Sequence, residues 1–362
     1  MAGVVTSLGA AMDLGFVRGR RVLVTGHTGF KGAWLAEWLV QLGAEVSGIA
    51  LPPERADSLF ERLGLATRTH HAVCDIREAE ALRQLVVRAA PEIVFHLAAQ
   101  PLVRRSYRDP LGTWATNVVG TLNVLEAVRT LGTPVRVVAV TTDKVYRNRE
   151  WPYAYREVDE LGGHDPYSAS KAASEIAVAS WRASLGTAGG VRVATARAGN
   201  VLGGGDDAED RIVPDCYRAW LDGRAVPLRF PASTRPWQHV LEPLSGYLRL
   251  AHQLDVSDGA YLETCNFGPG PGGDREVRDL VAALAALGPG RAWIDASEPG
   301  AVHEARALSL SIDRARHELG WSPLLSFEET MSWVDAGYRG PPSALAAIVR
   351  DQIHTYQQRF IA

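Results

Sequence analysis

Residues 140–146 read VTTDKVY, so that Thr142, Asp143 and Lys144 follow directly on a run of β-branched and small apolar residues. A carboxyl and an ammonium side by side can deliver and remove protons at one substrate, with a hydroxyl beside them to hold an oxygen. Further along, in YSASK, Tyr167 and Lys171 stand four apart. On a helix that spacing puts both on one face, where the ammonium favours a tyrosinate. Either pattern alone also fits a solvated surface. Their order, with hydroxyl, acid and base first and the Tyr–Lys pair after, points to a single site. For Lys144 to serve as a base, burial or a neighbouring cation must lower its pKa.

A third pattern lies upstream. VTGHTGFKGAWL sets Gly26, Gly29 and Gly32 between an apolar strand and an amphipathic helix, a GxxGxxG variant of the dinucleotide turn. Glycine permits the tight turn and the close approach of a pyrophosphate, and the helix N-terminus offers unpaired N–H groups. Thr28, Phe30 and Lys31 belong to the same turn. Asp75 and Ile76, at the end of HAVCDI, and Leu97, Ala98 and Ala99 in FHLAA are further candidate cofactor contacts. The acid expected about twenty residues beyond the glycines is absent, since Ala50 and Leu51 stand there. NAD is the first reading. Arg55, close by, leaves a 2′-phosphate and hence NADP open.

Parallel strands must position these groups. RVLVTG, EVSGIAL, HAVCDI, EIVFHLAA, VRVVAVT and VRVATARAGNV alternate with helical patterns that include one near 111–131 and one near 167–185. That rhythm predicts right-handed βαβ crossovers and a doubly wound, Rossmann-type α/β fold with ligands at the carboxyl ends of the strands. Residues 1–195 read as an NAD(P)-binding domain. Residues 196–362, richer in Gly, Pro and Asp loops, read as a mainly substrate-binding portion with some segments returning to the sheet.

Composition narrows the partners. The chain is 46% hydrophobic and 22% charged with a formal charge of -3, both signs being interspersed, so there is no basic stripe to hold a nucleic acid. Cys74, Cys216 and Cys265 are scattered without CxxC or a metal-like pairing with His, and read as buried thiols. No metal is expected. The first twenty residues hold no long apolar block, so neither a signal peptide nor a membrane span is expected, and a cytoplasmic protein follows.

With HTGFKGAWL, FHLAAQPLVRRSY, TTDKVY, DPYSASKAASE, RAGNVLGGGD, RIVPD and RPWQHVLEPLSGYL in view, the chain resembles the extended short-chain dehydrogenase/reductase family over nearly its whole length. Within it, the chain is most similar to the dehydratases that act on CDP-glucose. The resemblance implies that Thr142, Tyr167 and Lys171 oxidise the sugar at C4, with Asp143 as acid and Lys144 as base in the loss of water. Gln100, Arg104, Asn200, Arg211, Arg235, His239 and Arg306 are the implied substrate contacts. Arg105 and Trp237 are weighed as further neighbours of the sugar or base, Trp237 equally as core. A homodimer or a dimer of dimers, paired through the helices near 111–131 and 167–185, is also implied. Asp207 stands where the family typically has tryptophan, which leaves a different nucleotide or hexose open.

Overall fold

A computed structural model of the chain describes residues 14–186, 190–257, 259–270, 273–297 and 307–361. The first half runs β1 (Arg21–Thr25), α1 (Phe30–Gln41), β2 (Glu45–Ala50), β3 (His70–Val73), α2 (Ala79–Ala89), β4 (Ile93–His96), α3 (Val103–Arg108), α4 (Thr121–Arg129) and β5 (Arg136–Val140). A short helix, Pro110–Trp114, and a π-helical stretch, Ala115–Gly120, lead into α4. Then follow α5 (Pro166–Leu185), β6 (Arg192–Ala198), α6 (Leu241–Val256), β7 (Thr264–Phe267) and α7 (Leu345–Ile361), with shorter elements between them.

The seven labelled strands form one sheet in the order β7-β6-β5-β4-β1-β2-β3, and every neighbouring pair is parallel. The doubly wound fold expected from the sequence is therefore present, and β7 is the segment beyond residue 196 that joins the sheet. Because β1 lies between β2 and β4, the crossovers part there and leave a crevice at the strands' carboxyl ends. Register brings those ends level, with Thr25 opposite both Ile49 and His96.

Alternation along each strand explains why the sheet is buried on both sides. Val22, Val24, Ile93 and Phe95 pack into one core with Trp34, Trp38 and Leu244, while Leu23, Val94, Val137 and Val193 face a second core with Leu82, Val86, Leu125 and Trp181. Neighbouring residues point to opposite faces, so each strand feeds both layers. Each such aliphatic or aromatic side chain contributes about 1.5–3 kcal/mol when fully buried. A third core, built from Val213, Tyr217, Leu228, Trp237, Leu280 and Met331, underlies the loop-rich portion. The cysteines are distributed one to each, with Cys265 in the first core, Cys74 in the second and Cys216 in the third. Among the described residues no helix is long and apolar enough to cross a membrane.

Candidate active site

The carboxyl ends of the strands open into a cleft of about 2240 Å³. Its floor is the glycine turn. Gly26 has φ +76°, a conformation that L side chains rarely adopt, and a Cβ there would come within 2.7 Å of the Ala98 backbone nitrogen. At Gly32 a Cβ would meet the Gly26 carbonyl oxygen at 2.1 Å. Bare backbone is thus required at both positions, and α1 begins over the cleft with no side-chain cap on its N–H groups. Thr28 Oγ1 donates to Leu51 O at 2.9 Å and ties the turn to the end of β2.

All the candidate cofactor residues line this cleft: Gly26, Thr28, Gly29, Phe30, Lys31, Gly32, Asp75, Ile76, Leu97, Ala98, Ala99, Tyr167 and Lys171. The Asp75 carboxylate accepts the backbone N–H and the guanidinium of Arg77, which hold its carboxyl below the usual range. Burial, with the charges of Arg211 and Lys171 nearby, pushes the Lys31 ammonium down to about 7. Arg55 forms an exposed ion pair with Asp57, at 2.9 Å.

Thr142, Asp143 and Lys144 also line the cleft, directly where β5 ends. Thr142 Oγ1 donates to Asp143 Oδ1 at 2.9 Å, and Thr142 and Tyr167 line the same cleft. Asp143 is 1% exposed, its Oδ2 has no partner among the described residues, and Lys144 Nζ lies 3.7 Å from its Oδ1. Helix α5 brings the other pair. Its N-cap, Asp165, accepts the Ser168 N–H at 2.9 Å, with Pro166 in the first turn, so the helix starts just ahead of Tyr167. Lys171 Nζ donates to Val140 O at 3.2 Å. Burial pushes the Tyr167 hydroxyl up to about 12, against the nearby Thr142 hydroxyl and the charge of Arg211. Burial pushes the Lys171 ammonium down to about 8, against the charge of Glu175.

The substrate candidates divide. Gln100, Arg104, Asn200, Arg211 and Arg235 line the cleft. Gln100 is committed locally, since its amide donates to Leu102 O and Thr113 Oγ1 and accepts from Leu102 N. Asn200 Oδ1 is buried without a partner among the described residues. His239 does not reach the cleft. It is 0% exposed, with its ring edge-on to Trp34 and Trp333, and burial pushes its pKa down to about 3. His239 pairs with Leu202 in a short parallel strand pair, its imidazole is turned inward, and an apolar site favours its neutral form. Trp237 is likewise core, its indole N–H donating to Arg275 O at 3.0 Å. Arg306 lies outside the described residues.

Three arginines of α3 form the rim. Arg104 pairs with Asp210 at 2.8 Å, Arg105 with Glu54 at 2.7 Å and Arg108 with Glu209 at 2.7 Å. The helix is thereby joined to the loop after β2 on one side and to residues 206–211 on the other. Asp207 stands on that second wall beside Asp206, whose carboxyl is pushed up by burial. Sequence reasoning missed Tyr146, Arg229 and Phe230, which also line the cleft. Tyr146 closes the VTTDKVY stretch, while Arg229 and Phe230 stand together in a loop whose spacing marks nothing.

Glycine turn, strand-end hydroxyl and the Tyr–Lys pair on one cleft define a short-chain dehydrogenase/reductase site. The chain belongs to the GDP-mannose 4,6 dehydratase family, whose model matches residues 23–264. It is 44% identical over 339 residues to the CDP-glucose 4,6-dehydratase of Salmonella typhimurium, covering 91% of this chain and 94% of that one. Among solved structures, it is similar to DesIV, the dTDP-glucose 4,6-dehydratase of Streptomyces venezuelae with NAD bound, at 26% identity and TM-score 0.74 over 88% of this chain and 96% of that one. The epimerase Mth375 of Methanothermobacter thermautotrophicus shares the fold at 23% identity and TM-score 0.77, over 93% and 96% of the two chains.

Proposed function

We propose that this protein is an NAD-dependent nucleotide-sugar 4,6-dehydratase, a hydro-lyase that converts CDP-glucose to CDP-4-keto-6-deoxyglucose. The observation that carries the reading is Asp143 with Lys144 on the cleft wall that Thr142 and Tyr167 also line. A 4-epimerase needs the hydroxyl, Tyr and Lys but has no use for an acid–base pair at C5. Identity to the Salmonella typhimurium CDP-glucose 4,6-dehydratase supports the nucleotide and the sugar. The NAD bound in DesIV supports the cofactor.

The bare backbone at Gly26 and Gly32 and the open end of α1 fit the pyrophosphate of NAD, while Asp75, Ile76 and residues 97–99 would hold its adenosine and nicotinamide ribose. When bound, NAD supplies the store for a hydride that leaves C4 and returns at C6. Tyr167 takes the proton of the 4-hydroxyl while Thr142 holds that oxygen and Lys171 stabilises the tyrosinate. The 4-ketone acidifies C5–H. Lys144 then removes the C5 proton and Asp143 protonates the 6-hydroxyl, which leaves as water. Asn200, Arg211 and Arg235 would hold the diphosphate and the sugar, arginine being suited to bidentate phosphate contacts.

Supporting a homodimer, or a dimer of such dimers, are apolar side chains left exposed on two neighbouring helical regions: Leu111, Trp114 and Val119 on one and Ile176 on the other. A cytoplasmic location belongs to the same proposal, that being where NAD and nucleotide sugars are available.

Incubation with CDP-glucose and, separately, UDP-, dTDP- and GDP-sugars in deuterated water tests the reading. The 4-keto-6-deoxy product from CDP-glucose with deuterium at C5 is expected. Turnover confined to another nucleotide would move the assignment there, as Asp207 leaves open, and inversion at C4 without exchange at C5 would overturn it.

A further inference from the structure

Tyr167 and Lys171 are the first two members of a longer stripe on α5. Glu175 is the third, four residues further on, and it is 4% exposed. Spacing of four keeps successive side chains on one helical face. The stripe meets the exit of β5 residue by residue. Lys171 donates to the Val140 carbonyl, the Thr141 hydroxyl donates to Glu175 Oε1, and Tyr167 lines the cleft with Thr142. Two consecutive residues of the strand end, Val140 and Thr141, are thus each held by one member of the stripe.

The Glu175 carboxylate is fully engaged. Oε2 accepts the Thr195 hydroxyl at 2.7 Å, and Arg197 donates through Nε and Nη2, both at 3.0 Å. Arg197, itself 4% exposed, also donates to the Tyr146 hydroxyl at 2.9 Å, and Tyr146 lines the cleft. An ion pair buried to this degree is a weak device for stability, because desolvation offsets most of its attraction. Its position suggests another use. Burial disfavours the Lys171 charge, and the nearby His96 of β4 is kept neutral by burial and by Lys171. Glu175 is the carboxylate that favours the Lys171 ammonium.

We infer that Glu175 is a positioning residue for the C4 oxidation: it locks the exit of β5 against the Tyr–Lys face of α5 and supplies the negative charge that keeps Lys171 an ammonium. Glu175 touches neither sugar nor cofactor in this account and acts through Lys171 and Thr141. The inference rests on the dehydratase reading above, and the test separates the two.

The rate of turnover of CDP-glucose is measured against pH for the wild type, Glu175→Gln, Glu175→Asp and the double variant Glu175→Gln/Arg197→Met, which removes both buried charges together. The alkaline fall in kcat should move to lower pH by about one unit in both glutamine variants, with kcat near neutral pH down about twofold. Glu175→Asp should restore most of the wild-type profile. An unmoved alkaline limb in a folded variant, whether kcat is unchanged or lowered evenly at every pH, overturns the inference. So does failure of both glutamine variants to fold, which would make the pair a structural support. A wild type inactive on every nucleotide sugar removes the dehydratase reading and this inference with it, whereas an active wild type with unmoved variants removes only the latter.

Discussion

The two walls of the cleft are built by different means. The wall on the sheet side is made of strand ends, a glycine turn and two helix starts, with its polar groups buried and held by short-range backbone geometry, as at Gly26 and Thr142. The opposite wall is a rim of exposed ion pairs between α3 and loops distant in sequence, Arg104 with Asp210 and Arg108 with Glu209. Buried groups in fixed geometry suit proton transfer, where a misplaced atom costs orders of magnitude. Exposed pairs contribute roughly 0–1 kcal/mol each and can exchange partners at little cost. On this contrast we propose that the first wall sets the reaction and the second the choice of ligand.

The sharpest way to break that division is Tyr167→Phe. Loss of the hydroxyl that meets Thr142 should lower kcat by about 10³-fold or more while NAD still binds, measured by turnover and by cofactor titration. Next, Lys144→Ala should cut formation of the 4-keto-6-deoxy product by about 10²-fold while reduction of the cofactor by CDP-glucose persists, followed by the absorbance of the reduced nicotinamide and by deuterium at C5. Unchanged dehydration would refute its role as base.

The pH profile sharpens the same contrast with a smaller effect. Lys171 is charged below its pKa of about 8 and neutral above it, so the tyrosinate loses its support as pH rises through that value. The kcat should fall about tenfold per unit above it, whereas added salt should leave this limb in place because the pair is buried. Smallest of all is the rim. Arg108→Gln should raise KM about twofold at low salt and make no difference at high salt, since screening already weakens the wild-type pair.

The same division governs what could be read from the residues alone. The parallel sheet, the glycine turn and the Tyr–Lys spacing are local patterns, each set by a few neighbouring residues, and the structure brings them onto one cleft. His239 escaped such reading. A polar residue in RPWQHV looks available to a ligand, and only the packing of Trp34 and Trp333, from opposite ends of the chain, shows it to be core. Glu175 could be seen as a continuation of the helical stripe, but its partners Thr141, Thr195 and Arg197 become neighbours only when β5, β6 and α5 meet. The rim pairs join residues 51 to 106 apart and have no local signature at all.

Cys216 and Cys265 are fully buried in two different packed layers while Cys74, in a third, borders the cleft, so the molecule carries two native reporters of its own loosening and one of the cleft itself. A thiol-alkylating reagent applied for short pulses during gentle warming should mark the two buried thiols in the order in which their layers come apart. Mass spectrometry of the modified peptides would then rank the breathing of one sheet face and the loop-rich portion beside that of the cleft, without altering a single residue.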